Sequence, residues 1–191
     1  MIVVIDDFIK DQTLLDNISN DDSFFQDPGV YYWWDGWWNS QVNTTKKELI
    51  QYIWANNVPI TATYDLSGFE YWTGIQTHNT ETGHDNKLDI HFDKDESLFE
   101  NTGKISTPMI GTVYYPEQDE FEGGMLLIYT NGVDNPPETI YAKANRLIIF
   151  DAGEVVHAVS TVTKGIRKAI AINLWESEPF EKQNGNMAIE Q

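Results

Sequence analysis

From residue 60 onward the chain is written in short extended runs divided by turn residues, and no other feature narrows the possible folds as much. Nine such runs can be marked, at 60–66, 69–77, 88–92, 109–115, 125–129, 139–142, 146–150, 155–162 and 166–175. β-Branched and aromatic residues fill them, and Gly, Asn, Asp and Pro gather between them. Strands this short at this spacing describe a sandwich or a barrel. The hydrophobic share of 41%, with 13% aromatics, is enough to give 191 residues one substantial core in a single domain.

The first 59 residues read differently, as support for that core. Residues 2–5 form a β-branched run that predicts a strand, and Asp11 is placed to cap a helix with Leu14, Leu15 and Ile18 on one side. Thr45-Lys-Lys-Glu48 reads as a capping box for a second helix carrying Leu49, Ile50, Ile53 and Trp54, which Asn56, Asn57 and Pro59 stop. The two helices are expected to cover one face of a sheet. Between them, Tyr31 to Trp38 places four tryptophans around an Asp-Gly turn signal, either as a hairpin packing its rings inward or as an aromatic lid over a substrate. The core is expected to span 60–179, and residues 180–191, polar and without periodicity, to form a loose tail.

Composition removes several classes of function. There is no cysteine, which excludes disulfides, thiolate zinc sites and cysteine nucleophiles. A net charge of -18 with no basic run to offset it argues against nucleic acid as a partner. No window approaches a membrane span and the N-terminus lacks the pattern of a secretory leader, so a soluble, cytoplasmic protein with no membrane partner is expected.

Within the extended region, Ile90-His-Phe-Asp93 carries chemistry. Side chains alternate along a strand, so His91 and Asp93 share one face. A second histidine brought beside them would complete a facial triad of two imidazoles and a carboxylate, the donor set of non-haem iron(II) oxygenases. His78 and His84 lie in or beside a polar loop, which leaves His157 in the apolar run Val155-Val-His-Ala-Val159. A histidine in such a run is commonly a hydrogen-bonded core residue, and its neighbourhood decides the reading. If Thr163-Lys164-Gly165 closes a three-residue hairpin, His157 lies opposite Ala171, and Arg167, Ala169 and Ala171 share its face. Arg167 then stands about 13 Å along the strand from the point opposite His157, leaving room for a small dicarboxylate between guanidinium and metal. A two-residue turn would bring Lys168 to that face instead.

The pattern His91-x-Asp93, His157 and Arg167 resembles the iron(II)/2-oxoglutarate-dependent oxygenases, specifically their prolyl 4-hydroxylase-like branch. The runs Pro108 to Pro116, Phe121-Glu-Gly-Gly124, Asn145 to Phe150 and Ala169 to Trp175 resemble that branch's strands in order, so the likeness covers about residues 69–176. It implies a mainly β double-stranded β-helix, or jelly roll, flanked by N-terminal helices. It also implies that His91, Asp93 and His157 hold Fe(II), that Arg167 binds the distal carboxylate of 2-oxoglutarate, and that Tyr115 gives that carboxylate a hydroxyl, with adjacent Tyr114 facing the other way. The implied reaction is hydroxylation by dioxygen with release of succinate and CO2. A peptide or protein side chain, prolyl first, is the implied substrate, with a small molecule the alternative and Tyr71 and Trp72 the candidate contacts. The small size suits a bacterial or virus-encoded enzyme. Two other readings use the same fold: a non-catalytic jelly-roll binding protein, and a cupin-like metal hydrolase or isomerase.

Overall fold

The computed structural model describes residues 1–57, 66–116 and 118–190. The expected strand at 60–66 and the boundary at 59/60 therefore lie, apart from Leu66, outside the described residues. In chain order the strands are β1 (Ile2–Ile5), β2 (Tyr32–Trp34), β3 (Gly68–Thr77), β4 (Leu88–His91), β5 (Ile110–Tyr115), β6 (Glu122–Gly123), β7 (Leu126–Ile128), β8 (Glu138–Ile140), β9 (Arg146–Phe150), β10 (His157–Val159), β11 (Val162–Lys164) and β12 (Ile166–Trp175). The α-helices are α1 (Gln12–Asn20), α2 (Thr45–Tyr52), α3 (Glu96–Thr102) and α4 (Phe180–Gln183).

Two antiparallel sheets face each other as a jelly roll. The larger runs β1-β9-β5-β12-β3-β2, the smaller β4-β10-β7-β8, and β11 and β6 form a short separate ribbon. Alternation along the strands of the larger sheet gives it two apolar faces. On the outer face, Phe69, Tyr71, Tyr114, Leu147, Ile149, Ile170 and Ile172 pack with Leu14 and Ile18 of α1 and Leu49 and Ile50 of α2. On the inner face, Tyr115, Ile148, Phe150 and Ala169 meet Leu126, Ile128, Ile140 and Val159 across the sandwich. Each fully buried Leu or Ile stabilises the fold by roughly 1.5–3 kcal/mol, so the helices bind their sheet mainly through this outer layer. Asn145 adds a polar tie: with φ of 55° its side chain accepts from the amide of Ile9 and donates to the carbonyl of Ile9, at 2.9 and 3.0 Å.

Several sequence expectations need correction. The cap of α2 is Thr44, whose hydroxyl accepts from the amide of Lys47, so the box begins one residue earlier than Thr45. Helix α3 had no apolar period to announce it, since none of its residues is buried; it is held by the Asp95 cap and ended by Gly103 at φ 70°. The run 155–162 is two strands, because the chain changes partner after Ser160: Val159 pairs with Leu126 of β7 and Ser160 still bonds Met125, whereas Val162 pairs with Gly123 of β6 in the separate ribbon. The hairpin expected across residues 163–165 does not join His157 to Ala171 either. Strand β10 pairs with β4 and β7, while β12 pairs with β3 and β5.

The aromatic segment is mostly structural. Tyr32, Trp33 and Trp34 form the edge strand β2 against β3, Trp33 and Trp34 are buried, and Trp37 stacks on Phe69 with ring centroids 5.8 Å apart. Tyr31 alone turns its ring onto Trp72, at 4.7 Å, on the side away from that core.

The C-terminal segment is docked, contrary to the loose tail expected of it. The carbonyl of Ala188 accepts from the amide of Trp33, and the Glu190 carboxylate takes hydrogen bonds from Thr44, Lys46 and Tyr71 at 2.7, 2.6 and 3.0 Å. The Lys46 ammonium so held is itself buried. A polar sequence concealed this, because the partners that bury Glu190 come from α2 and β3. Among the described residues no helix is long and apolar enough to cross a membrane. Replacing Glu190 by Ala strands a buried ammonium, and we expect it to cost about 3 kcal/mol. The corresponding fall in Tm in a thermal melt is about 6–12 °C.

Candidate active site

The two sheets bring three ligand side chains together from one side of the sandwich. His91 ends β4, Asp93 follows two residues later, and His157 begins β10, with His157 and His91 directly paired in the ladder. Both Nε2 atoms stand 3.5 Å from Asp93 Oδ1, and all three ligand atoms lie within 4.8 Å of one another. His91 Nδ1 is 2.7 Å from the carbonyl of Asp89, and His157 Nδ1 is 3.0 Å from that of Val155. A nitrogen facing a carbonyl must carry the hydrogen, so each imidazole turns the lone pair of Nε2 toward the shared centre. Asp93 is fixed in turn: its amide donates to the carbonyl of Ala152, and its Oδ2 accepts from Asn173 Nδ2 at 3.0 Å.

The electrostatics suit a cation. Burial pushes the Asp93 carboxyl up, but hydrogen bonds from His157 and His91 outweigh it and hold the group well below the usual carboxylate range. Burial likewise works against a charged His91, yet its bonds to Asp93 and to the Asp89 carbonyl leave its pKa raised. Both effects come from the same pairing of carboxylate and imidazoles that a bound cation would share, so metal and protons compete for this centre.

A cavity of about 70 Å³ runs inward from the triad between the sheets. On a measure where one water needs about 10–15 Å³, this holds a small organic acid and excludes a peptide. Its floor is the inner face of β12 and β3, where Arg167 pairs with Gln76, Ala169 with Gly74, Ala171 with Trp72 and Asn173 with Glu70. Small side chains fill the middle of the row, so the space between Asn173 and Arg167 stays open. At the inner end the buried Arg167 donates from Nη1 to Gln76 Oε1 at 2.5 Å and from Nη2 to Tyr115 Oη at 2.9 Å. Its Nε has no partner, and none of the ion pairs among the described residues includes it. Gly124 shapes this end: at φ 62°, a Cβ there would lie 2.8 Å from Arg167 Cδ.

The faces expected for Arg167, Ala169 and Ala171 are thus found, but by a route other than the hairpin. They sit on the sheet opposite His157, across the sandwich from it. Lys168 points to the outer side, its ammonium 5.8 Å from the ring of Phe25. Tyr115 lies on the inner face beside Arg167, and Tyr114 on the outer face in the helix-packed core. Trp72 lines the cavity. Tyr71 does not: it is fully buried on the outer face and bonded to Glu190, because neighbouring strand residues point opposite ways. Sequence reasoning also missed Gln76, Asn173 and Glu70, although alternation from Trp72 and Arg167 was enough to place all three on the inner face.

With the geometry in view, comparison with known proteins is direct. The profile of the 2OG-Fe(II) oxygenase superfamily matches residues 75–175, more than half of the chain, and the chain belongs to that superfamily. It is a 2-oxoglutarate-dependent dioxygenase that works with Fe(II). Among solved structures, a Pseudomonas putida prolyl-4-hydroxylase superposes with a TM-score of 0.59 at 16% identity, covering 93% of each chain. The viral collagen prolyl hydroxylase of Paramecium bursaria Chlorella virus-1, in its 2OG complex, gives 0.53 at 14% identity, covering 93% of this chain and 96% of that one. At such identities the two show the jelly-roll fold. A search of curated proteins returns no match.

The residues present fit both groups the superfamily uses. Two imidazoles and a carboxylate form the donor set for Fe(II), and a buried guanidinium with a spare N–H and no counter-anion among the described residues fits a carboxylate. Because Asn173 orients the ligating carboxylate, Asn173→Ala should weaken Fe(II) or Co(II) binding by about 10–100-fold in a direct titration while the far-ultraviolet spectrum is kept.

Proposed function

We propose that this dioxygenase hydroxylates a side chain of a peptide or protein, with prolyl residues the first candidate, and releases succinate and CO2. The observation that carries the use of 2-oxoglutarate here is the buried, anion-less Arg167 at the end of a cavity whose other end is the His91, Asp93, His157 triad. Iron held there supplies the activation of dioxygen and the oxidation of the 2-oxo acid.

The protein's part is placement and exclusion. His91 and His157 would hold the iron through Nε2 and Asp93 through Oδ1, three ligands that leave a metal of this kind able to take the cosubstrate and dioxygen as well. Arg167 and the Tyr115 hydroxyl grip the distal carboxylate, with Gln76 holding the guanidinium flat against the Tyr115 ring, 5.0 Å from its centroid. Ala169 and Ala171 leave room for the carbon chain, and Val113 and Phe150 keep the pocket dry. The substrate arrives from the opposite side, through a wider cleft of about 350 Å³ lined by Trp72, Tyr31 and His91. The solved relatives named above are prolyl hydroxylases, which supports a peptidyl substrate for this cleft.

Adding Fe(II) and 2-oxoglutarate to the protein without oxygen should give a weak visible charge-transfer band. Arg167→Ala should raise the 2-oxoglutarate concentration needed for that band by about tenfold or more while Fe(II) affinity is kept. Equal loss of both would contradict the role given to Arg167. With oxygen, proline-containing peptides should raise succinate release and gain one oxygen atom by mass.

A further inference from the structure

The outer cleft contains a half-buried acid, Glu70, that has no ion-pair partner among the described residues, the counterpart of Arg167 at the other end. Glu70 lies on the inner face of β3, opposite Asn173, and its Oε2 accepts from Trp175 Nε1 at 3.3 Å. None of the ion pairs among the described residues includes it. The other acids of the cleft are engaged: Asp93 with the triad, Asp95 with the amides of Leu98 and Phe180, Glu96 with Lys94 and Glu181 with the Ser97 hydroxyl. Lys94, the cleft's one lysine, is held by Glu96 and lies 5.3 Å from the ring centres of Phe92 and Phe99. Beside Glu70 stands the wall made by Trp72 and the half-exposed Tyr31, rings 4.7 Å apart. A carboxylate sunk next to aromatic faces is the arrangement that receives an ammonium or guanidinium on an aliphatic stem.

Resting on the dioxygenase reading above, we infer that the substrate is a basic peptide, whose lysine or arginine side chain lies along Trp72 and Tyr31 and ends on Glu70. Burying a carboxylate without a counter-charge is unfavourable, and a substrate cation removes that cost. The chain's surplus of 30 acidic over 12 basic residues draws the same partner from solution. Burial, reinforced by the charge of Asp93, pushes the Glu70 carboxyl up to about 8, and a substrate cation beside it offsets that cost of ionisation. The reaction balance is unchanged: one atom of dioxygen enters the substrate C–H bond as hydroxyl, the other enters succinate, and the 2-oxo acid is oxidised with loss of CO2.

The test compares proline-containing peptides of one length carrying lysine, glutamine or glutamate beside the proline. Calorimetry on the protein loaded with Fe(II) and 2-oxoglutarate without oxygen should show the lysine peptide binding at least about tenfold tighter than the glutamine peptide, with the glutamate peptide weakest. The preference should shrink with added salt and vanish in Glu70→Gln. Equal affinity of the lysine and glutamine peptides for the unmodified protein would overturn the inference with no variant needed. So would a preference that survives Glu70→Gln in a protein with unchanged melting. If the charge-transfer band forms but no preference is seen, this inference fails and the dioxygenase reading stands. If the band is absent from folded protein, the site assignment fails, and the same peptide comparison on metal-free protein still decides the role of Glu70.

Discussion

The antiparallel pairing of β12 with β3, unbroken from Ile166 opposite Thr77 to Trp175 opposite Gly68, fixes the relation between every group at this site. It is a register constraint, and a slip of one residue would send Arg167 and Asn173 into the helix-packed layer and Lys168 and Ile172 into the cavity. The outer residues of β12 and β3, Ile170, Ile172, Phe69 and Tyr71, are fully buried under α1 and α2, and that apolar layer is what makes slippage costly. The helices thus contribute to catalysis without touching the site. They hold the sheet in the one alignment that sets a guanidinium, two alanines and an amide in a row facing the triad.

Two ionisable groups without ion-pair partners among the described residues bracket the triad along that row, Arg167 inward and Glu70 outward. Holding either as a lone ion costs free energy that a ligand of opposite sign offsets. On the function proposed above this gives the cavity direction, with a small dianion at the closed end and a cationic chain at the open end. The two ligands can then be sorted before any chemistry begins, by charge as much as by size.

Much of this was legible in the chain. Alternation puts His91 with Asp93 and Arg167 with its alanines, and the spacing of the extended runs announces a sandwich or a barrel. What alternation could not show was partnership between distant strands. A hairpin reading makes His157 the ladder neighbour of Ala171, whereas the two line one cavity from opposite sheets; both arrangements present the same faces, so the structure gathers the same three side chains through a different pairing. Tyr71 was misplaced because it stands next to Trp72 in sequence, and strand geometry sends such neighbours to opposite layers. The docked C-terminus is hidden for a different reason, since Glu190 is held by hydrogen bonds from Lys46, Thr44 and Tyr71, none of which lies near it in the chain.

The division of labour along the sequence follows from where the cleft finds its lining. The residues matched to the superfamily, 75–175, contain the triad, Arg167, Tyr115 and Gln76. Tyr31, Glu70, Trp72, Pro179, Glu181 and Met187, which line the outer cleft, all fall outside that span. The two ends of the chain and the first half of β3 therefore supply one rim of the cleft, while the matched span supplies the chamber behind it. Substitutions on that rim reach what the cleft admits without touching the triad or Arg167.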